Sequence, residues 1–368
     1  MIRVLQRKPL EVALLAPRIC ELGHDPCGGS EVVLWEDHAI IRLAGIPVRV
    51  YGRAALSDTP VKKIPIRTNL PLVSSLEYCG QLLLQERRAI VVAYNEPMLA
   101  GLAPQRAIVR FDWPTPLPRY WWLPGWLGRF RRALYLFPSE SERRLFLGMH
   151  PLIPEASTVV IPNAVDLRLF RSADTPYAGP RVGFAGQWAR EKGTSVLLDA
   201  WGLVRRKLPA AELWLAGGAG LWKSVAAIPG AQEISDRAEE MARQGLLRIA
   251  GEYKRSEMPG FWNSMRVAAV PSLREAFGLA AVEAMACGVP VVASAASGLP
   301  EIVVDGECGL LVPPNDPQRL AEALVALLTN EPLRKRLAEG ARRRAEIFSM
   351  DHRAEKVLVL LENRARSR

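Results

Sequence analysis

Short apolar runs of four to six residues recur along this chain, separated by longer amphipathic stretches. In the first half, runs at 12–16, 47–51, 89–93, 107–111 and 133–138 are apolar enough to be buried strands. The stretch 30–43 between the first two has helical spacing, with Ser30 as its candidate N-cap. The pattern restarts at 181, with strands expected at 181–185, 212–216, 246–250, 266–270, 289–293 and 309–312. Helices are expected at 194–207, 279–287, 317–328, 333–348 and 351–365. Strands alternating with helices predict parallel sheets, and the restart predicts two α/β domains, each a doubly wound Rossmann-like unit. The expected division is 1–173, a Pro/Gly-containing linker at 174–180, a second domain at 181–348, and a last helix at 349–368. Ligands of such sheets bind outside the carboxyl ends of the strands, and every motif discussed below follows an expected strand.

The most telling segment runs from Pro271 to Pro290 and carries Glu275 and Glu283, eight residues apart. A buried strand precedes it. An Ala-rich helix closed by Gly288-Val289-Pro290 follows. Glu275 therefore falls in a strand-to-helix loop and Glu283 more than one turn into the helix. The backbone N–H groups of Phe277, Gly278 and Leu279 lie at the helix start, lack intrahelical acceptors and favour an anion. Acceptor carboxylates on either side of an anion-binding amide cluster suit a ligand with hydroxyls at both ends and phosphate in the middle, such as a nucleotide sugar. Two glutamates at this spacing also arise by chance on helix surfaces, so the flanking strand, turn and helix carry the inference.

With this context the chain resembles the retaining nucleotide-sugar glycosyltransferases of family 4. Four further segments carry the resemblance: Pro26-Cys27-Gly28-Gly29-Ser30-Glu31; Val160-Ile161-Pro162-Asn163-Ala164-Val165-Asp166; Gly183 through Gly193; and Gly298-Leu299-Pro300-Glu301 with Gly309-Leu310-Leu311-Val312. The resemblance implies the GT-B architecture, two Rossmann-like domains facing a central cleft, with the last helix crossing back to the first domain. It implies transfer of a glycosyl group from a nucleoside diphosphate sugar, UDP first and GDP second, to an acceptor hydroxyl in a polysaccharide, glycolipid or metabolite. The anomeric configuration is kept, and neither metal nor cofactor is needed.

The same resemblance assigns roles. Glu283 would hold the donor ribose and Glu275 the transferred sugar. Lys192, with Arg190 as a second cation, would meet the diphosphate. The amides of Phe277, Gly278 and Leu279 would meet the sugar and distal phosphate. Gly28 and Gly29 would let the backbone approach the diphosphate, and Gly186, Gly217 and Tyr253 would line the donor site. Two positions depart from the pattern. Gln187 stands where an arginine is usual, and Phe111-Asp112 where a histidine precedes aspartate. Asp112 is a candidate for the histidine's contact with the sugar, or a structural aspartate. These departures keep open a sugar-nucleotide-binding relative with weak catalysis. A dinucleotide oxidoreductase fits worse, because neither Gly28-Gly29 nor Gly217-Gly218 is followed by the third glycine of G-x-G-x-x-G.

Composition narrows the picture further. The 368 residues suffice for two cores. Five cysteines without a CxxC pair and four scattered histidines give neither a disulfide framework nor a metal-ligand spacing. No secretory signal or membrane span is apparent, which points to a cytoplasmic protein. The net charge of +10 is compatible with an anionic substrate, an anionic lipid surface or simple solubility. The segment 119–132 mixes Trp121, Trp122 and Trp126 with four arginines. It reads either as a helix turning its rings into the core or as an acceptor or lipid surface, the latter a peripheral contact at the inner face of a membrane. No nucleic-acid motif accompanies it.

Overall fold

The computed structural model describes residues 10–17, 21–22, 29–52, 54–55, 61–66, 71–112, 116–119, 121–173, 179–218 and 230–367. The chain divides into two compact units. The first comprises Met1–Pro138, Glu142–Ile161 and Arg353–Arg368, and the second Ser139–Ser141 and Pro162–His352. Most of the expected linker at 174–180 lies outside the described residues.

The first unit is built on a parallel sheet of β1 (Val12–Leu15), β2 (Val48–Gly52), β3 (Val61–Lys63), β4 (Ile90–Tyr94), β5 (Ala107–Arg110), β6 (Leu134–Phe137) and β7 (Thr158–Val160). Their order is β3-β2-β1-β4-β5-β6-β7. β1 and β4 are buried at every position, as expected of strands covered on both faces. The order reverses between β1 and β4, and doubly wound sheets bind ligands at the carboxyl ends of the strands that flank such a reversal. Two strands of this sheet lie outside the runs that the sequence marks. β3 is an edge strand whose two lysines face solvent, and β7 has only three residues. Helices Pro71–Gln85 and Glu140–Met149 were also not anticipated. The helix after β1 spans Gly29–Leu43, so Ser30 sits inside the first turn and does not flank it.

The segment Arg353–Arg368 clusters with this first unit. Arg353 is buried and donates from Nε and Nη2 to Asp37 Oδ1 at 3.0 and 2.7 Å, while Tyr94 Oη donates to Asp37 Oδ2 at 2.6 Å. Burial alone would lower the Arg353 pKa, and Asp37, Glu36 and Tyr94 together reverse this and raise it, so the guanidinium stays charged. Burial and the same carboxylate push the Tyr94 phenol well up. Further along the helix, Arg364 Nη2 donates to the carbonyls of Pro104, Ala107 and Arg132.

The aromatic segment is divided between core and solvent. Trp121 and Trp126 pack against the apolar core of this unit, whereas Trp122 is 56% exposed. Trp121 meets His150 edge-on at 5.0 Å between ring centres, and Phe146 lies 4.8 Å from His150 on another side. His150 Nε2 accepts the Leu117 N–H at 3.3 Å. This burial lowers its pKa from 6.5 to about 4. The unfolded chain therefore binds more protons than the folded one between those values. The contribution of His150 to stability is full above about pH 6.5 and is lost as the pH falls towards 4. Unfolding midpoints measured from pH 7 to 4 should fall less steeply in His150→Gln, which keeps an acceptor for Leu117 and cannot titrate. An unchanged slope would remove His150 from the acid response.

The second unit repeats the plan with β8 (Arg181–Ala185), β9 (Glu212–Ala216), β10 (Arg248–Gly251), β11 (Val267–Val270), β12 (Val291–Ser294) and β13 (Gly309–Val312). All pairs are parallel, in the order β10-β9-β8-β11-β12-β13. An apolar cluster lies on each face. One is centred on Trp201 and Leu324, the other on Trp262, Val282 and Met285. The reversal falls between β8 and β11, so the loops after these two strands flank the crevice. Among the described residues no helix is long and apolar enough to cross a membrane.

Candidate functional site

The loops after β8 and β11 are built against each other. Gly193 adopts φ +68°, and a Cβ there would lie 1.9 Å from the Pro271 carbonyl oxygen, so the loop closes only with glycine at this point. The Glu191 carbonyl accepts the N–H groups of Leu273 and Arg274 at 2.7 and 3.1 Å. From the far side the loop after β12 closes in. Gly298 N–H donates to the Glu275 carbonyl at 2.9 Å, and a Cβ on Gly298 would come within 2.5 Å of the Ala276 carbonyl oxygen. Glu275 is thus fixed by backbone contacts on both sides before its side chain makes any bond.

That side chain meets Lys192. The ammonium nitrogen lies 2.7 Å from Glu275 Oε2, which also accepts from Ser272 Oγ at 3.1 Å. Ser272 is itself buried, and its carbonyl accepts from Ser294 Oγ. The lysine side chain keeps 35% of its exposure and the glutamate 14%. The ammonium has three donors, so an arriving anion can share it with Glu275 or take it over.

Helix Leu279–Ala286 starts directly after this loop, with Gly278 at its N-cap in the left-handed region at φ +114°. The Ala281 and Val282 N–H groups donate to the Gly278 carbonyl at 3.0 and 3.2 Å, and the N–H groups ahead of them, at the positive end of the helix dipole, lie before any intrahelical acceptor. Within the helix, Glu283 is buried. Its Oε1 accepts from Arg255 and its Oε2 from Trp262 Nε1 at 3.5 Å. The guanidinium of Arg255 lies 5.1 Å from the centre of the Phe170 ring. Cys287, one turn on, has its thiol pKa pushed up to about 12 by burial and by the charge of Glu283, so it is an inert core residue.

The remaining predicted donor residues line the same end of the sheet. Gly186 donates to the Ala216 carbonyl at 3.2 Å, Gly217 to Gly251 at 2.8 Å, and Trp188 to Gly218 at 3.2 Å. The loops after β8, β9 and β10 therefore form one hydrogen-bonded rim. The Tyr253 ring lies 5.2 Å from Phe261. Arg190 is exposed. Gln187 has its Nε2 buried without a hydrogen-bond partner among the described residues. Phe277 is buried against Phe348, with ring centres 5.5 Å apart, so only its backbone can serve a ligand.

The candidates in the first unit form a separate group. Gly28 lies outside the described residues, and Gly29 opens the helix after β1. Asp112 follows β5, where its Oδ1 accepts from Arg110 Nε at 2.8 Å. Phe111 is a core residue, stacked 5.8 Å from Phe137 between ring centres.

Sequence reasoning missed Arg255, Trp262 and Ser272. Arg255 and Trp262 reach Glu283 from 28 and 21 residues away, and no local pattern signals such a pairing. Ser272 lies three residues before Glu275 and was visible, but a serine in a loop carries no distinguishing mark.

Residues 169–344 match the family described as glycosyl transferases group 1. Among curated proteins, the chain is 32% identical over 235 residues to a D-inositol 3-phosphate glycosyltransferase of Nocardioides, an alignment covering 60% of this chain and 51% of that protein. The chain spans about half the length of the curated relatives it matches. Among solved structures, sucrose-phosphate synthase from Thermosynechococcus elongatus superposes with a TM-score of 0.77 at 21% identity, covering 96% of this chain and 98% of that one. Anabaena HepE in complex with UDP and glucose gives 0.74 at 20% identity, covering 96% of this chain and all of that one. The fold is thus that of the GT-B glycosyltransferases, as the sequence implied.

Proposed function

We propose, from the match of residues 169–344 to the glycosyl transferases group 1, that the chain transfers a sugar from a nucleoside diphosphate sugar to an acceptor hydroxyl. The observation that carries this reading is the Lys192–Glu275 pair, 2.7 Å apart, directly before a helix whose free N–H groups favour an anion. The diphosphate would lie at that helix start, with Lys192 moving from Glu275 to a phosphate oxygen. Glu275 would then be released to accept hydroxyls of the sugar. Glu283, held by Arg255 and Trp262, would accept from the ribose. UDP is the donor nucleotide we propose, supported by the Anabaena complex with UDP.

The bond between the anomeric carbon and the leaving phosphate oxygen breaks as a bond to the acceptor oxygen forms on the same face. The acceptor proton passes to the leaving phosphate oxygen. Configuration is kept, and the developing charge on the diphosphate is met by Lys192 and the helix N-terminus. The acceptor belongs to polysaccharide, glycolipid or metabolite glycosylation. A second reading, a relative that binds sugar nucleotide with weak catalysis, rests on Gln187, a neutral amide where a further cation would serve the diphosphate.

The test is product formation from UDP-hexoses with a panel of acceptors, run with and without a chelator. Release of UDP with a glycosylated product, unaffected by chelator and retaining configuration by NMR, is the expected result. Activity lost with chelator would refute the metal-free reading. Tight UDP binding without product would favour the second reading.

A further inference from the structure

Two donors of very different mobility share one oxygen of Glu275. Lys192 Nζ lies 2.7 Å from Oε2, and Ser272 Oγ donates to the same atom at 3.1 Å. Oε1 takes no hydrogen bond among the described residues, and the glutamate side chain keeps 14% of its exposure. The lysine is a cation on a flexible stem, one-third exposed, and can follow an arriving anion. The serine cannot. It is 2% exposed, its carbonyl accepts from Ser294 Oγ at the end of β12, and Ser294 is 1% exposed. The next two residues, Leu273 and Arg274, are bonded through their N–H groups to the Glu191 carbonyl.

We infer that Ser272 is the positioning residue for Glu275, the donor that stays on Oε2 when Lys192 turns to the diphosphate. This rests on the transferase reading above and adds a residue to its site. The last torsion of a glutamate side chain is soft. A carboxylate that lost its ammonium and had no other donor would turn freely or follow the lysine. With Ser272 holding Oε2, the carboxylate keeps its plane, and Oε1 stays the oxygen open to a sugar hydroxyl. The serine itself touches neither sugar nor phosphate. It acts through Glu275, whose backbone is already fixed by the Gly298 N–H at 2.9 Å. Backbone contacts place the residue, and the serine aims its carboxylate.

The wild-type chain, Ser272→Ala, Ser272→Thr, Glu275→Ala and the double variant Ser272→Ala/Glu275→Ala are titrated calorimetrically with UDP and with UDP-glucose, UDP-galactose and UDP-N-acetylglucosamine. UDP release from the sugar nucleotide that binds is followed in parallel. Ser272→Ala leaves no buried donor unpaired, so the chain is expected to fold. Its UDP affinity should stay at the wild-type value, while its affinity for the UDP-sugar relative to UDP falls by about 10-fold, as loss of a hydrogen bond to a charged group does. Turnover should fall by a similar factor in kcat with KM changing less. Ser272→Thr keeps the donor and should keep the wild-type ratio. In the Glu275→Ala background the serine change should add nothing, because the two residues act as one.

A serine needed only for the fold would weaken UDP and UDP-sugar together and would add its loss in both backgrounds. That result overturns the proposal, as does a wild-type ratio in Ser272→Ala or a threonine variant that behaves like the alanine one. A wild-type chain that gives the expected binding pattern and releases no UDP ends the transferase reading and leaves the role of the serine standing. A wild-type chain that binds none of the three sugar nucleotides overturns both.

Discussion

Lys192→Ala lowers turnover by about 10²–10³-fold, the cost of removing one preorganised donor to charge that develops on a leaving group. The lysine is the cation that contacts Glu275 in the loop before helix Leu279–Ala286, and the neighbouring Gln187 brings no charge of its own. Arg190 is exposed two residues away and is the obvious substitute. The double variant Lys192→Ala/Arg190→Ala should therefore fall further only if Arg190 takes part. Because the lysine side chain is one-third exposed, its loss should leave the unfolding midpoint nearly unchanged. Steady-state kinetics should show the loss mainly in kcat, with KM rising less. Near-normal kcat would mean that another group meets the diphosphate. Glu275→Gln should also be slow, but through a different cause, since it frees the lysine and removes an acceptor for sugar hydroxyls.

Asp37→Ala destabilises the first unit by about 3–5 kcal/mol, because it leaves the Arg353 guanidinium buried without its counter-charge. Asp37 accepts both bonds from Arg353 and one from Tyr94, and the Asp37 and Arg353 side chains are 4% and 1% exposed. Removing both charges, as in Asp37→Leu with Arg353→Met, should recover most of the loss, since a buried pair replaced by apolar groups of similar size is close to neutral. Chemical denaturation of the three chains measures this. A single variant as stable as the parent would mean that Arg353 finds water or another acceptor. Both variants lie away from Lys192 and Glu275 in sequence and in unit, so a loss of turnover in them should follow loss of folded protein.

Most of the fold was legible because buried parallel strands write continuous apolar runs. Val12–Leu15, Ile90–Tyr94 and Val267–Val270 are such runs, each buried throughout. Val61–Lys63 was not, because an edge strand carries charges on its open side and reads as a loop. Helix Ala231–Arg243 is strongly polar on one face and has glycine in place of a side-chain cap, so its start left no mark. The two glutamates and Lys192 could be found because each sits in a loop with a recognisable turn and helix start. Their arrangement could not be found. The pairing of Lys192 with Glu275 spans 83 residues and depends on Gly193 passing under the Pro271 carbonyl. The partners of Glu283 come from the loop after β10 and the helix that follows it, and their chemistry is visible only once the chain is folded.

On the proposed reading, the carboxyl end of the second unit's sheet binds a nucleoside diphosphate through Lys192, the helix start and Glu283. Calorimetric titration of UDP into the full chain and into Glu283→Gln tests it most directly. The glutamine keeps an oxygen for Arg255 and loses the charge that accepts ribose hydroxyls. Saturable UDP binding in the wild-type chain, weakened about tenfold or more in the variant at a temperature where both chains are folded, is the predicted result. Equal affinity in the two chains, or no heat with UDP or GDP in either, would contradict it.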